Sequence, residues 1–267
     1  MRGDERWQLD SAAARQQTRA VQLALRMAGV SGARQLIASG GQPEMVCGLS
    51  IGAYPAAVLA GALDFGDALQ LVALRGELME QAYPQGYGLT AISGMTLAQV
   101  EALVDGETSF IANINAETQI VVAGSDSAMA AVAQQALAQG AQRAQRLAIS
   151  VPSHCALLDS PAQQLKAAID KVRLQRPQFA YLSGSSARVL WLPERIAEDL
   201  AMNMARSVRW HEAMVAAKER EVRLVIEMPP GEVLTGLTRS VQCQGECIAL
   251  ERSGAELAQR LFQRLAR

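Results

Sequence analysis

Charge of one sign is what this chain most lacks: 25 Lys and Arg stand against 26 Asp and Glu, giving a formal net charge of −1. A nucleic-acid surface needs clustered Lys and Arg, so nucleic acids and other polyanions are excluded as expected partners. Long hydrophobic runs are missing too. The longest apolar stretch, around residues 55–63, falls well short of the roughly 20 residues a membrane span requires. The first 25 residues are polar and amphipathic, without a signal-peptide core, so no membrane partner and a cytoplasmic location are expected. Cysteine is scarce: Cys47, Cys155, Cys243 and Cys247 show no metal-type or redox Cys-x-x-Cys spacing, which predicts reduced thiols and no bound metal. Only two histidines are present, His154 and His211. No internal repeat or low-complexity linker interrupts the 267 residues, a length that allows one large domain with a small insert.

Against those absences stands one concentrated signal, Val46-Cys-Gly-Leu-Ser-Ile-Gly-Ala-Tyr54. A short apolar run ending in Gly-x-Ser-x-Gly and continuing into an Ala/Leu-rich amphipathic segment fits a strand, a sharp turn and a helix, the arrangement of a nucleophile elbow. Gly48 and Gly52 are small enough to allow the turn, Ser50 is lifted clear of the sheet, and the amide of Ile51 points at any oxyanion formed beside it.

The rest of the chain reads as α/β. Helices are predicted over residues 9–30, 32–39, after Ser50, and 65–81, the last with Leu69, Val72, Leu74 and Met79 as apolar positions. From 86 to 150 the pattern changes to strand 89–95, helix 97–104, strands 110–115 and 119–123, helix 127–139 and strand 146–150, the β-α-β-β-α-β order of a ferredoxin-like unit. We expect this as an insert (86–150) in an α/β-hydrolase-like large domain formed by 1–85 and 151–267. Beyond the insert, helices 161–171, 193–203, 210–217, 233–237 and one from 255 alternate with strands 179–183, 224–227 and 247–250, which predicts a mainly parallel sheet covered on both faces. A cleft between the two units is where a small ligand would sit.

A serine nucleophile needs a base that titrates near neutral pH. His154, in Pro-Ser-His-Cys where the insert rejoins the main domain, can face the same cleft as Ser50. His211 follows Trp210 at a helix start, where a cap or surface role is the better reading. Arg75 lies among apolar residues at helical spacing, so it either pairs with Glu77 or Glu80 or offers its planar fork to a carboxylate ligand. Asn113 and Asn115 alternate on one strand and share a face, where they line the cleft or hold a loop. No acid is positioned by sequence to complete a Ser-His-Asp set, which weakens a hydrolase reading.

Six motifs stand in a familiar order and spacing: Gly48-Leu-Ser-Ile-Gly52; Leu74-Arg-Gly-Glu-Leu-Met79; Asn113 with Gln119-Ile-Val-Val-Ala-Gly124; Val151-Pro-Ser-His154; Ser207-Val-Arg-Trp210; and Pro230-Gly-Glu-Val-Leu-Thr-Gly236. From about Leu9 onward the chain resembles malonyl-CoA:acyl carrier protein transacylases. The resemblance implies that Ser50 is acylated by a malonyl group and that His154 acts as general base and then acid, as a dyad oriented by a backbone carbonyl near Asn203. It further implies that Arg75 clamps the malonyl carboxylate, that the Ile51 amide is one oxyanion donor, and that Met79, Asn113 and Asn203 belong to the substrate site. No cofactor is implied. The substrate is malonyl-CoA and the partner an acyl carrier protein bearing a CoA-derived prosthetic group.

Leu49 and Ala53 replace the His and Glu usual in that family, and Asn203 stands where Gln is usual. With Ala53-Tyr-Pro-Ala-Ala57 and Ala82-Tyr-Pro-Gln-Gly-Tyr-Gly88, these departures resemble the epsilon subunit of biotin-independent malonate decarboxylase, which would add other decarboxylase subunits as partners. The alternatives are a transacylase of fatty-acid synthesis and a non-catalytic subunit that docks a carrier. The resembled family also opens with a buried strand ending in Gly-Gln-Gly-Ser/Ala-Gln, and nothing before Leu9 matches it. The expectation is a chain without that strand and its oxyanion donor, a loss worth roughly 100–1,000-fold in turnover.

Overall fold

The computed structural model describes residues 29–83, 85–241 and 245–265. The helix expected over residues 9–30 falls almost entirely outside the described residues, as does Cys243. Residues 29–38 are helical (α1) and lead to strand β1 (Met45–Cys47). A 3-10 turn (Ser50–Gly52) then opens helix α2 (Ala53–Leu59). Pro55 lies in its first turn, where no amide hydrogen is required. Gly61, at φ 73°, turns the chain out of this helix. Asp64 starts the next one by accepting hydrogen bonds from the amides of Gly66 and Asp67 at 2.7 and 3.3 Å, which caps α3 (Phe65–Ala82).

A four-stranded antiparallel sheet follows, built from β2 (Tyr87–Ser93), helix α4 (Leu97–Glu101), β3 (Ser109–Ala116), β4 (Gln119–Ser125), helix α5 (Asp126–Ala138) and β5 (Arg143–Arg146). The strands lie in the order β3-β4-β2-β5. The expected element order is present, but the last strand is displaced from 146–150 to Arg143–Arg146. Apolarity pointed to the wrong stretch because β5 is an edge strand that pairs only with β2 and stays largely exposed, a place where charge is favoured. Side chains alternate across this sheet. Ile92, Ile120 and Val122 pack on Met129, Val132 and Ala136 of α5, while Leu89, Ala91, Val121 and Ala123 face Cys155 and Leu157. The second face therefore rests on the residues that directly follow His154.

The chain continues through α6 (Asp159–Ile169), β6 (Ala180–Leu182), β7 (Val189–Leu190), α7 (Pro193–Met202), a 3-10 turn (Asn203–Ala205) and α8 (Trp210–Glu219). It closes with β8 (Leu224–Glu227), α9 (Val233–Arg239), β9 (Glu246–Ala249) and α10 (Leu250–Leu265), the last kinked at Gly254. The single, mainly parallel sheet expected for the outer segments is not what these strands form. Among the described residues β1 pairs in parallel with β6, β6 pairs antiparallel with β7, and β8 and β9 make a separate parallel pair. The two-residue β7 was too short to carry a periodic signal. The largest core packs α2, α3, α6 and α7 together, pinned by the buried Tyr54, whose hydroxyl donates to the carbonyl of Leu200 at 2.9 Å.

One junction matters for the site. Val208 donates its amide to Ala112 O and accepts from Ile114 N, at 2.8 and 2.7 Å, and Ser207 Oγ donates to Ile111 O at 2.7 Å. These bonds clip β3 onto the segment just after the Asn203–Ala205 turn.

Candidate active site

The elbow forms because the chain must reverse within two residues. A Cβ on Gly48 would lie 2.0 Å from the carbonyl carbon and oxygen of Gly52 and 2.3 Å from the amide nitrogen of Ala53, so only glycine fits there. Gly52 is different: a Cβ there meets nothing within 4 Å, so the turn does not depend on that position lacking a side chain. Ser50 takes φ 53°, a left-handed backbone that costs a non-glycine residue roughly 1–2 kcal/mol. His154 is held similarly at φ 66°. Both strained residues meet side chain to side chain.

His154 Nε2 lies 2.7 Å from Ser50 Oγ across 104 positions of sequence. Its Nδ1 is 2.8 Å from the carbonyl oxygen of Asn203 and 3.3 Å from that of Arg206, while its backbone amide donates to Met204 O at 2.7 Å. Carbonyls can only accept, so in the neutral ring Nδ1 carries the proton and Nε2 presents a lone pair to the serine hydroxyl. Burial and the nearby charge of Arg75 hold the imidazole neutral, pushing its pKa down to about 4, although the two carbonyl contacts act in the opposite direction.

Arg75 reaches the same oxygen from α3. Only 1% exposed, it donates from Nη2 to Ser50 Oγ at 3.2 Å. Met79 is buried one turn further along that helix and shares its face. Ile51 follows Ser50 at the head of the 3-10 turn, the end of a helix where amides point outward. Two side chains far apart in sequence, His154 and Arg75, thus converge on the hydroxyl of Ser50.

The remaining expected residues are connected less directly. Asn203 meets the site through its backbone carbonyl, whereas both polar atoms of its 1% exposed side chain lack a hydrogen-bond partner among the described residues. Asn113 bridges Val208 through its backbone, and its buried Oδ1 likewise lacks a partner among those residues. The shared face expected for Asn113 and Asn115 does not follow, because bulges interrupt β3 between Ile111 and Asn113 and between Ile114 and Ala116. His211 sits in the first turn of α8 but does not cap it: Arg209 is the N-cap residue and no side chain caps this helix. Cys47, Cys155 and Cys247 are free thiols. Burial pushes the pKa of Cys47 up to about 12 and that of Cys155 to about 11, so both flank the site as neutral packing groups.

One residue escaped the sequence reading. Asp199, on α7, buries its carboxylate and accepts from Tyr181 Oη at 2.9 Å and Ser183 Oγ at 2.6 Å. Burial raises its pKa against the opposing effect of its hydroxyl donors. Ser183 Oγ in turn accepts from the amides of Ser185 and Ser186. Within that turn, a Cβ on Gly184 would lie 2.9 Å from the carbonyl oxygen of Gly48. Asp199 therefore braces the elbow from behind. The available signal was an acid next to the buried stripe formed by Ile196, Leu200 and Asn203 at helical spacing.

A serine on a strained strand-to-helix turn, hydrogen-bonded to the lone pair of a neutral, buried histidine, is an arrangement that can deliver a hydroxyl nucleophile. The comparisons with known proteins name the family: an acyl transferase domain matches residues 9–255, and the chain belongs to that family. It is 36% identical over 208 residues to the malonyl CoA-acyl carrier protein transacylase of Haemophilus influenzae, covering 75% of this chain and 66% of that protein. The Escherichia coli K12 protein of the same name is 33% identical over 207 residues, covering 76% and 67%. The chain thus spans about two thirds of the length of these curated relatives. Among solved structures, the Coxiella burnetii transacylase superposes with a TM-score of 0.90 at 31% identity, over 96% of this chain and 82% of that one. A malonyl-transacylase solved in complex with a type II polyketide synthase acyl-carrier protein superposes at 0.82 with 33% identity, over 87% and 76%. Among the described residues no helix is long and apolar enough to cross a membrane.

Proposed function

We propose that the chain moves a malonyl group from malonyl-CoA to the thiol of an acyl carrier protein through an ester on Ser50. The observation that carries this reading is the placement of Ser50 Oγ between His154 Nε2 at 2.7 Å and Arg75 Nη2 at 3.2 Å. Ser50 attacks the thioester carbonyl as its proton passes to His154. The oxyanion forms beside the Ile51 amide, the C–S bond breaks, and the CoA sulfur leaves with the proton from His154. In the second half the carrier thiol gives its proton to His154 and attacks the ester. The Ser50–acyl bond breaks and the hydroxyl regains its proton. Ser50 and His154 act as a dyad, with the Asn203 carbonyl in the orienting role that an acid fills elsewhere.

Arg75 then selects the acid. Its guanidinium, buried and already turned toward the nucleophile, suits the free carboxylate of a malonyl group. Met79 shares the face of Arg75, and the Asn113 side chain offers a buried acceptor, so both belong to the acyl site in this reading. The sheet of residues 86–150 is read as a ferredoxin-like insert covering an α/β-hydrolase-like domain formed by 1–85 and 151–267, with the acyl site in the cleft between them.

The names of the relatives favour a transacylase of the fatty-acid or polyketide type. A second reading, the malonyl-transferring subunit of a malonate decarboxylase, rests on Leu49, Ala53 and the two Tyr-Pro stretches. Offering both kinds of carrier to the malonylated protein separates the two readings by which thiol becomes loaded. Incubation with malonyl-CoA followed by intact mass tests the core proposal: a malonyl adduct is expected that is absent in Ser50→Ala. Lack of the adduct would leave only a carrier-docking role. Arg75→Ala is expected to reduce malonyl transfer at least about tenfold while largely sparing acetyl transfer, because an acetyl methyl never used the guanidinium. An unchanged malonyl-to-acetyl ratio removes Arg75 from the clamp.

A further inference from the structure

We infer that Arg75 does more than select the acid: a carboxylate seated on its guanidinium strengthens His154 as a base, so an acyl group bearing the right charge also switches on the residue that moves the proton. This inference rests on the proposed malonyl transfer and adds a coupling that recognition alone does not require.

The geometry is a chain of two hydrogen bonds through one oxygen, Arg75 Nη2 to Ser50 Oγ and Ser50 Oγ to His154 Nε2. Arg75 and His154 are 1% and 3% exposed, so water screens little between them. A cation at that separation opposes an imidazolium, and Arg75 is the charged group that lowers the His154 pKa. Among the described residues, the other groups named around the ring are uncharged: the Ser50 hydroxyl from the elbow, the Asn203 and Arg206 carbonyls from the turn after α7, and the protonated thiol of the adjacent Cys155. The next charges outward, Arg206 and Asp159, face each other at 3.6 Å. On α3 itself, Glu77 is exposed and Glu80 half-buried.

A carboxylate on Arg75 adds one negative charge beside that positive one. The repulsion felt by a proton on Nε2 then falls, and His154 takes a proton more readily from Ser50 or from a thiol. An uncharged acyl group leaves the histidine a weak base. Discrimination against acetyl would then appear in the rate of the chemical step as well as in binding.

The test uses the full chain with ¹³C-labelled histidine, in which only two rings give signals and His211 serves as the internal reference. In wild type the His154 midpoint is expected to rise by about one pH unit or more with saturating malonate and to stay put with uncharged malonamide. In Arg75→Gln without ligand it is expected to lie above the ligand-free wild-type value. A His154 midpoint equal in wild type and Arg75→Gln, or unmoved by malonate, overturns the coupling. Should Arg75→Gln fail to fold, the malonate titration decides alone. Intact mass on the same preparation separates the two ideas: a malonyl adduct with an unmoved His154 overturns the coupling and keeps the transfer reading, whereas an unmoved His154 without adduct overturns both.

Discussion

A serine hydroxyl has no useful acidity of its own near neutral pH, so what matters at Ser50 is the kind of group fixed around it, a neutral imidazole and a guanidinium. The histidine that faces it is fixed by carbonyls, and the elbow that presents it is fixed from behind by Asp199. A buried carboxylate with two hydroxyl donors, Tyr181 and Ser183, is the kind of group whose removal costs more than its presence contributes, because the donors are left buried and unmatched. Asp199→Ala is therefore expected to destabilise the fold by about 1–3 kcal/mol. Asp199→Asn, which keeps an acceptor, should cost less. Urea unfolding of the three proteins ranks them, and an Asp199→Ala midpoint equal to wild type would show that the turn at 183–186 does not need its brace.

At the scale of elements, the two glycines of the elbow separate cleanly. A methyl on Gly48 drives into backbone atoms of Gly52 and Ala53, which cannot swing aside as a side chain could. Gly52 has helical angles, φ −61° and ψ −17°, and open space where a Cβ would stand. Gly48→Ala is expected to abolish the adduct on Ser50 and to lower the thermal midpoint by several degrees, while Gly52→Ala should leave the midpoint unchanged or slightly higher. Equal effects at both positions would mean that the turn is not built as described. The motif itself was legible in sequence, but this asymmetry was not, since Gly-x-Ser-x-Gly treats its glycines alike. Long helices such as α3 and the succession of strands and helices along residues 87–146 were legible through their periodicity. What escaped were features that periodicity cannot encode: β7, with two residues; β5, an exposed edge that uses arginines where apolar residues were sought; and the two bulges that interrupt β3, between Ile111 and Asn113 and between Ile114 and Ala116. Ser50, Arg75 and His154 could be listed from sequence. The orienting carbonyl at Asn203 was implied only by the family resemblance, and that of Arg206 belongs to the backbone, where no residue identity announces it.

For the molecule as a whole, His154 lies where separate parts of the chain come together: the elbow after β1, the turn after α7, and through Val208 the bulged strand β3. Its protonation is therefore a load on the assembly. In the folded state the imidazole is held neutral with its pKa at about 4, whereas in the unfolded chain it returns to roughly 6.5. Between those values the unfolded state binds more protons, so stability rises with pH. The contribution is fully present above about pH 6.5 and is lost progressively as pH falls towards 4. Acidic groups also titrate in this range, so the comparison is made with His154→Gln, which removes the titrating ring while keeping an amide donor for the Asn203 carbonyl. From pH 7 to pH 4.5, wild type is expected to lose at least about 1 kcal/mol more stability than His154→Gln, read from urea midpoints at the two pH values. Parallel losses would mean that the ring accepts a proton in the fold as freely as in water, and a ring that does so cannot keep a lone pair turned to Ser50 in weakly acidic solution.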